Sequence, residues 1–264
     1  MIAAFRSQWV KLTRRSFAVG AIAPLVGFSV AITAVGILRV NETGEHIGPA
    51  GSLTLADLTA GGGWLAGMGA ASAFLGLISL AIFASDIAGE FTTGTIRSVL
   101  VLEPHRLRVL AGKTACLAAF LAGGLMIAGL ATGVAAFVVA GSESIDTSAW
   151  TTTDALSEGL SIYVNVLMSC VVWGVFGMAL GMITRSSAIA IAAGAGYFLL
   201  GERLLLNSLW PSTEEWLPAG VLSALAEGGN PAIGYGTAIV LAAAYGLGAF
   251  LLAATAFARR DITA

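Results

Sequence analysis

The chain has 264 residues, of which 57% are hydrophobic and only 11% charged, against about 25% charged in an ordinary soluble domain. Together with 34 glycines, six prolines and a net charge of −2, this excludes a large water-soluble domain and points to a polytopic helical membrane protein. The two cysteines, Cys116 and Cys170, sit in apolar runs and read as small buried apolar residues rather than as a disulfide or metal site.

The first fifteen residues form a separate element. Ile2, Phe5, Trp9 and Leu12 recur on one face of a helix, with Arg6, Lys11, Arg14 and Arg15 mostly off it. This pattern predicts an amphipathic helix lying in the membrane interface, with Trp9 at headgroup depth. The apolar run that follows is long and lacks a small-x-small cleavage site, which argues against a cleaved signal peptide.

A bilayer core about 30 Å thick needs about 20 apolar helical residues. Six stretches qualify, at about 16–38, 61–85, 114–140, 160–183, 187–206 and 232–258. They predict a single all-α transmembrane domain, residues 1–264. The connectors alternate in charge, and eleven of the thirteen Lys and Arg residues fall in the N-terminal arm, 86–113, 184–186 and 259–264. The positive-inside rule places those segments and both termini in the cytoplasm. Ten acidic residues, among them Asp57, Glu158 and Glu227, fall in the other connectors and give the opposite face a negative field.

Small-residue pairs at Gly63/Gly67, Gly129/Gly133 and Gly177/Gly181 offer close helix contacts, although Gly61–Gly63 also reads as a flexible start to the second span. Glu202 and Arg203 stand in the outer half of the fifth stretch. Either the helix ends near Leu200 and the two lie at the interface, or one lines a pathway or meets a partner subunit. Residues 207–218, with Trp210 and Trp216, suit short interfacial helices.

Between the second and third stretches runs a polar segment ending in Gly112-Lys113-Thr114. A phosphate-binding loop needs a glycine at position 107, after a strand, but that position is Leu107 and its surroundings are helical. Lys113 instead reads as a cap on the third span, its ammonium reaching for lipid headgroups. His46 and His105 lie on opposite faces of the membrane, no cluster has metal-ligand spacing, and no nucleophile motif stands out. The chain is therefore not expected to be an enzyme, to hold a metal or cofactor, or to bind nucleic acid. The span centres lack the ionisable or broken-helix features of a secondary transporter. Gly89, Gly94 and Pro104 bracket a short amphipathic helix, about Thr93 to Leu102, suited to docking on a soluble partner.

Residues 86–113 resemble the signature of type 2 ATP-binding-cassette (ABC) transporter permeases: Glu90, Gly94-Thr95, Arg97, Val99-Leu100, Pro104-His105-Arg106 and Gly112-Lys113. The basic amphipathic start, the Ile183–Ser187 turn and the closing Phe257–Asp261 are similar to the same family. The resemblance implies a permease subunit of an exporter in the plasma membrane. Two such subunits, identical or homologous, would work with two cytoplasmic ATPase chains that bind ATP and Mg. The segment after the second span is then the coupling helix, seated in a groove of the ATPase. Glu90, Arg97 and Arg106 are expected to contact the ATPase or brace that helix, and Phe91, Thr95, Ile96 and Leu100 to pack it. A hydrophobic or amphipathic substrate suits the apolar interior. The alternative is a non-transporting assembly or sensory component that anchors a soluble partner through the same segment.

Overall fold

The computed structural model describes residues 2–43, 45–48, 51–95, 105–198, 201–202, 209 and 215–259. Helix α1 (Ile2–Leu12) leads into α2 (Arg15–Thr43), which carries Pro24 in its interior. Strands β1 (Glu45–Gly48) and β2 (Gly51–Thr54) pair antiparallel, with Glu45 opposite Thr54. Then follow α3 (Leu55–Thr59), α4 (Gly63–Ala70), α5 (Ser72–Thr92) and the long α6 (Arg106–Ser142). A 3-10 turn (Ser148–Thr151) precedes α7 (Ala155–Thr184), α8 (Ser187–Gly196), α9 (Pro218–Glu227) and α10 (Tyr235–Arg259).

Five of these helices, α2, α5, α6, α7 and α10, are long and apolar enough to cross a membrane. The protein is thus a mostly helical, membrane-embedded bundle. The first, third, fourth and sixth expected stretches fall on single helices, as their unbroken apolar length requires. The second is divided. Ala71, at φ −80° and ψ −5°, ends α4 and begins α5, and the spanning part runs on to Thr92, past the expected end at residue 85. Gly67 and Gly69, both poor helix formers, precede the break. The fifth stretch is described as a ten-residue apolar helix, α8, followed by π-helical turns at Tyr197–Phe198 and Gly201–Glu202.

The most extensive packing joins α5 to α7 and α2 to α6, and the expected glycine pairs sit at such contacts. A Cβ on Gly177 of α7 would overlap the Leu80 carbonyl of α5, and one on Gly181 would lie 3.0 Å from the Ala84 carbonyl. Gly67 meets Thr33 of α2 in the same way, and Gly133 would lie 2.8 Å from the Trp64 ring. Gly63 abuts the Leu58 carbonyl, so it is a packing contact rather than a flexible lead-in. Between lipid-soluble helices, backbones must approach this closely because the hydrophobic effect supplies little attraction.

The connector expected at residues 207–230 is helical over its second half. Pro218 starts α9 and Gly228, at φ +80°, ends it. Ala219, Val221, Leu222, Ala224, Leu225 and Ala226 are buried, and the helix packs on α7 and α10. The proline-first, glycine-last pattern is a helix signature in its own right. Of the expected interfacial stretch 207–218, Trp216 is exposed, and Trp210 lies outside the described residues.

Replacing Gly177 by valine is expected to lower the melting temperature of the detergent-purified chain, since overpacking costs about 1–3 kcal/mol. Gly20→Ala, where nothing lies within 4 Å of the new methyl, is expected to leave it unchanged or slightly raised. A thermal-shift series measures both.

Candidate functional site

The basic end of the bundle gathers α1, the last turn of α5, the first turns of α6, the α7–α8 turn and the end of α10. Helix α1 docks on α6. It is rotated from the expected amphipathic orientation. Gln8 and Leu12 are buried, Phe5 is half-buried, and Trp9 is exposed and stacked on Phe5 at 6.0 Å. A polar side chain thus occupies the inward face, and a set of charges explains it.

Asp86 and Glu90, one helical turn apart on α5, both point inward and are 1% and 5% exposed. Gln8 donates its amide to Asp86 Oδ2 at 2.6 Å and accepts from Lys113 Nζ at 3.1 Å. Lys113 also pairs with Glu90 Oε1. Lys11 reaches the same Glu90 oxygen at 3.3 Å and lies 2.6 Å from Asp86 Oδ1, off the line of a hydrogen bond. Two carboxylates, two ammoniums and one amide therefore form a charge-balanced network from three helices. Lys113 is 4% exposed. This corrects the expectation that it reaches outward to headgroups: its ammonium turns inward to the buried Glu90 carboxylate and the Gln8 amide oxygen. Burial disfavours the charged form of Lys11, but Asp86 and Glu90 outweigh it and hold its pKa above 10.5. That contribution to stability is complete below the ordinary lysine value and is lost only as pH rises through the raised one.

The network opens onto a cleft of about 650 Å³, lined among others by Arg14, Phe17, Thr93 and Thr95. The buried Glu90 Oε2 has no hydrogen-bond partner among the described residues. Beyond Thr92 the chain turns at Gly94, φ +70°, a conformation that suits glycine. Thr95 is exposed, and its hydroxyl lies 3.0 Å from that of Thr93. Phe91 packs on the core, with the Arg185 guanidinium 5.6 Å from its ring. On the far side of the connector, Arg106 donates to the Phe257 and Ala258 carbonyls at 2.7 and 3.3 Å. Of the sequence-based site residues, Glu90, Phe91, Thr95 and Arg106 thus gather around the two roots of the connector. Ile96, Arg97 and Leu100, with most of the expected 93–102 helix, lie outside the described residues.

Glu202 is remote from this end. It is 2% exposed, and its Oε1 accepts the Gly220 N–H at 2.9 Å in the first turn of α9. A carboxylate there complements the unpaired N–H groups and the positive end of the helix dipole. The residue therefore faces protein, in a part that neither sequence-based reading described; Arg203 lies outside the described residues. Gln8, Lys11 and Asp86 were not expected as site residues. The i, i+4 spacing of Asp86 and Glu90 beside an apolar span was the available signal.

The profile of a family described as "Protein of unknown function (DUF2705)" matches residues 51–263. No curated protein matches the chain.

Two outcomes test the assignments. Removing one partner of a buried ion pair costs about 3–5 kcal/mol, so Lys113→Met and Glu90→Gln should each lower the melting temperature sharply. The double variant keeps Asp86 with Lys11 and should melt closer to wild type than either single variant. Separately, Glu202→Ala should speed amide hydrogen exchange at Ala219–Leu222, while Glu202→Gln, which retains an acceptor, should preserve most of the protection.

Proposed function

The chain belongs to this family of proteins of unknown function, and from that premise we propose that it is the membrane subunit of an ABC exporter. In this reading it has six spans and lies in the plasma membrane with both termini in the cytoplasm. It works with two separate ATPase chains and a second permease subunit. Its 86–113 segment, which includes the 96–104 connector, docks on the ATPase. The basic end is then cytoplasmic, in keeping with the positive-inside rule.

The observation that carries the proposal is the bracing of both roots of that connector. Asp86 and Glu90 hold the α5 root and Lys113 the α6 root, in one network that also takes in α1. Arg106 ties the α6 root to the end of α10. A displacement of the connector is therefore delivered to four helices at once. The glycine contacts between α5 and α7 pass it on with little slack, since packed backbones do not compress. ATP closure can drive the membrane part only through contacts that differ between open and closed ATPase, and a braced connector is a suitable place for them. ATP and Mg belong to the partner. The permease supplies shape and leverage, and moves a hydrophobic or amphipathic substrate outward.

The test is co-expression with an ABC ATPase, scored by co-purification and by ATP-dependent transport into inverted vesicles. Arg97→Ala and Thr95→Ala are expected to reduce transport about tenfold, a loss of about 1.4 kcal/mol of coupling, with the melting temperature of the isolated chain unchanged. Unchanged complex formation and transport in both variants would overturn the docking assignment. A complex that forms but transports nothing would favour the non-transporting anchor.

A further inference from the structure

The cleft at the basic end carries more polar capacity than the ion network consumes. Its volume of about 650 Å³ lies within the range of small-molecule sites, about 300–1,000 Å³. We propose that it binds an anionic phospholipid with a hydroxylated headgroup, of the phosphatidylglycerol kind. The phosphate meets Arg14 and Lys11, and a headgroup hydroxyl meets Glu90 Oε2. The inference rests on the membrane-embedded fold and not on the exporter reading.

An unsatisfied oxygen is the first argument. Lys11 and Lys113 both meet Glu90 at Oε1. Glu90 lines the cleft and is 5% exposed, and its Oε2 is buried without a hydrogen-bond partner among the described residues. Buried polar atoms are nearly always satisfied, so this oxygen calls for a donor. A cation is the wrong donor. The two lysines already balance Asp86 and Glu90, and Arg14 adds a positive charge to the same wall. A hydroxyl donates without adding to that surplus. Lys11 is the one member of the network that reaches water, with its side chain 39% exposed. When it turns to the phosphate it gives up its 3.3 Å contact with Glu90, and the hydroxyl replaces the donor that Glu90 loses.

The surplus charge is a second, independent argument. Arg14 is exposed in the turn between α1 and α2, where its N–H donates to the Lys11 carbonyl at 3.3 Å. It has no acidic partner among the described residues. Arg14 and Lys11 stand one turn apart and both line the cleft, so one phosphate can meet both, with the charge-assisted hydrogen bonds that a guanidinium favours. The adjoining wall is apolar. Phe17, half-buried, lines the cleft with its ring 5.9 Å from that of Phe120. It stands in the first turn of α2, where the apolar span begins. The cleft therefore lies at the depth where a helix leaves the headgroups, and a phosphate held there leaves its acyl chains beside α2. Basic pockets between transmembrane helices hold anionic headgroups in this way. That depth favours a lipid over a soluble phosphate ester of the same chemistry.

The test titrates the detergent-purified full chain with lipids and follows binding by native mass spectrometry. Phosphatidylglycerol carries the charge and the hydroxyls, phosphatidylmethanol the charge alone, and phosphatidylcholine neither a net charge nor a donor. Phosphatidylglycerol should bind saturably and about tenfold tighter than phosphatidylmethanol, as a hydrogen bond to a carboxylate implies. Phosphatidylcholine should not saturate. Arg14→Gln, outside the network, should weaken both anionic lipids about fivefold, the worth of one arginine at an anionic surface. Glu90→Gln/Lys113→Met, expected to melt closer to wild type than either single variant, should lose most of the preference between the two. Equal affinity of the wild-type chain for the two anionic lipids overturns the proposal, and so does affinity untouched by Arg14→Gln. Glycerophosphoglycerol, the headgroup without acyl chains, distinguishes the source: displacement of the lipid at equal concentration overturns the membrane assignment, and failure to displace supports it. No ATPase or ATP enters the assay, so its failure and failure of the coupling test are separate results.

Discussion

Three buried charges and a half-exposed lysine at one end of the bundle set the terms for the rest of the structure. Lys11, Lys113, Asp86 and Glu90, bridged by Gln8, come from the first helix, the second span and the third. An isolated buried charge is too costly to keep; a balanced and hydrogen-bonded set is tolerated, and it tolerates little rearrangement. The network therefore specifies geometry more than it adds stability. It turns α1 from a helix lying on the surface into a strut docked on α6, and it fixes how far apart the two roots of the connector stand. Arg106 on the end of α10 and Arg185 over Phe91 extend the same bracing with backbone and aromatic acceptors.

The two ends of the molecule solve the same problem differently. At the basic end, charge is cancelled internally and the polar groups are spent on holding helices together. At the acidic end, the Asp57 and Glu158 carboxylates accept from neutral N–H and O–H donors. Closely packed α5 and α7 join the two ends. Glycine makes the joint possible: at Gly177 and Gly67 the neighbouring backbone or hydroxyl occupies the space that any other side chain would take.

Much of the helical framework was legible in the chain because its signals are local. An apolar run of twenty residues declares a membrane helix wherever it stands, and α2, α6, α7 and α10 fall where such runs do. The glycine pairs were legible for the same reason. What was not legible depended on partners distant in sequence. Lys113 looks like an interfacial lysine until Glu90 and Gln8 are seen beside it. Gln8 looks like an outward-facing polar residue until the network calls it inward. The break at Ala71 follows from how α4 packs, which no periodicity reports. Helix α9 is different: Pro218 and Gly228 bracketed it plainly, and the polarity of the surrounding connector masked that signal. Asp57, Glu158 and Glu227 come from three connectors expected only to carry a diffuse negative field, yet they line one cleft together with Asn165 of α7. Their convergence on Asn165 is a fact of tertiary structure alone.

The long sequence separations within the ion network have a consequence for how the protein is made. Glu90 is synthesised 23 residues before Lys113, its closest counterion, and 79 after Lys11. For that interval α5 presents two carboxylates to the insertion machinery with only the N-terminal strut able to answer them. The bundle then acquires its third span as a matter of charge as well as of hydrophobicity: α6 brings the ammonium that lets α5 settle. The four charges that brace the mature protein can balance one another only once α6 has joined the bundle.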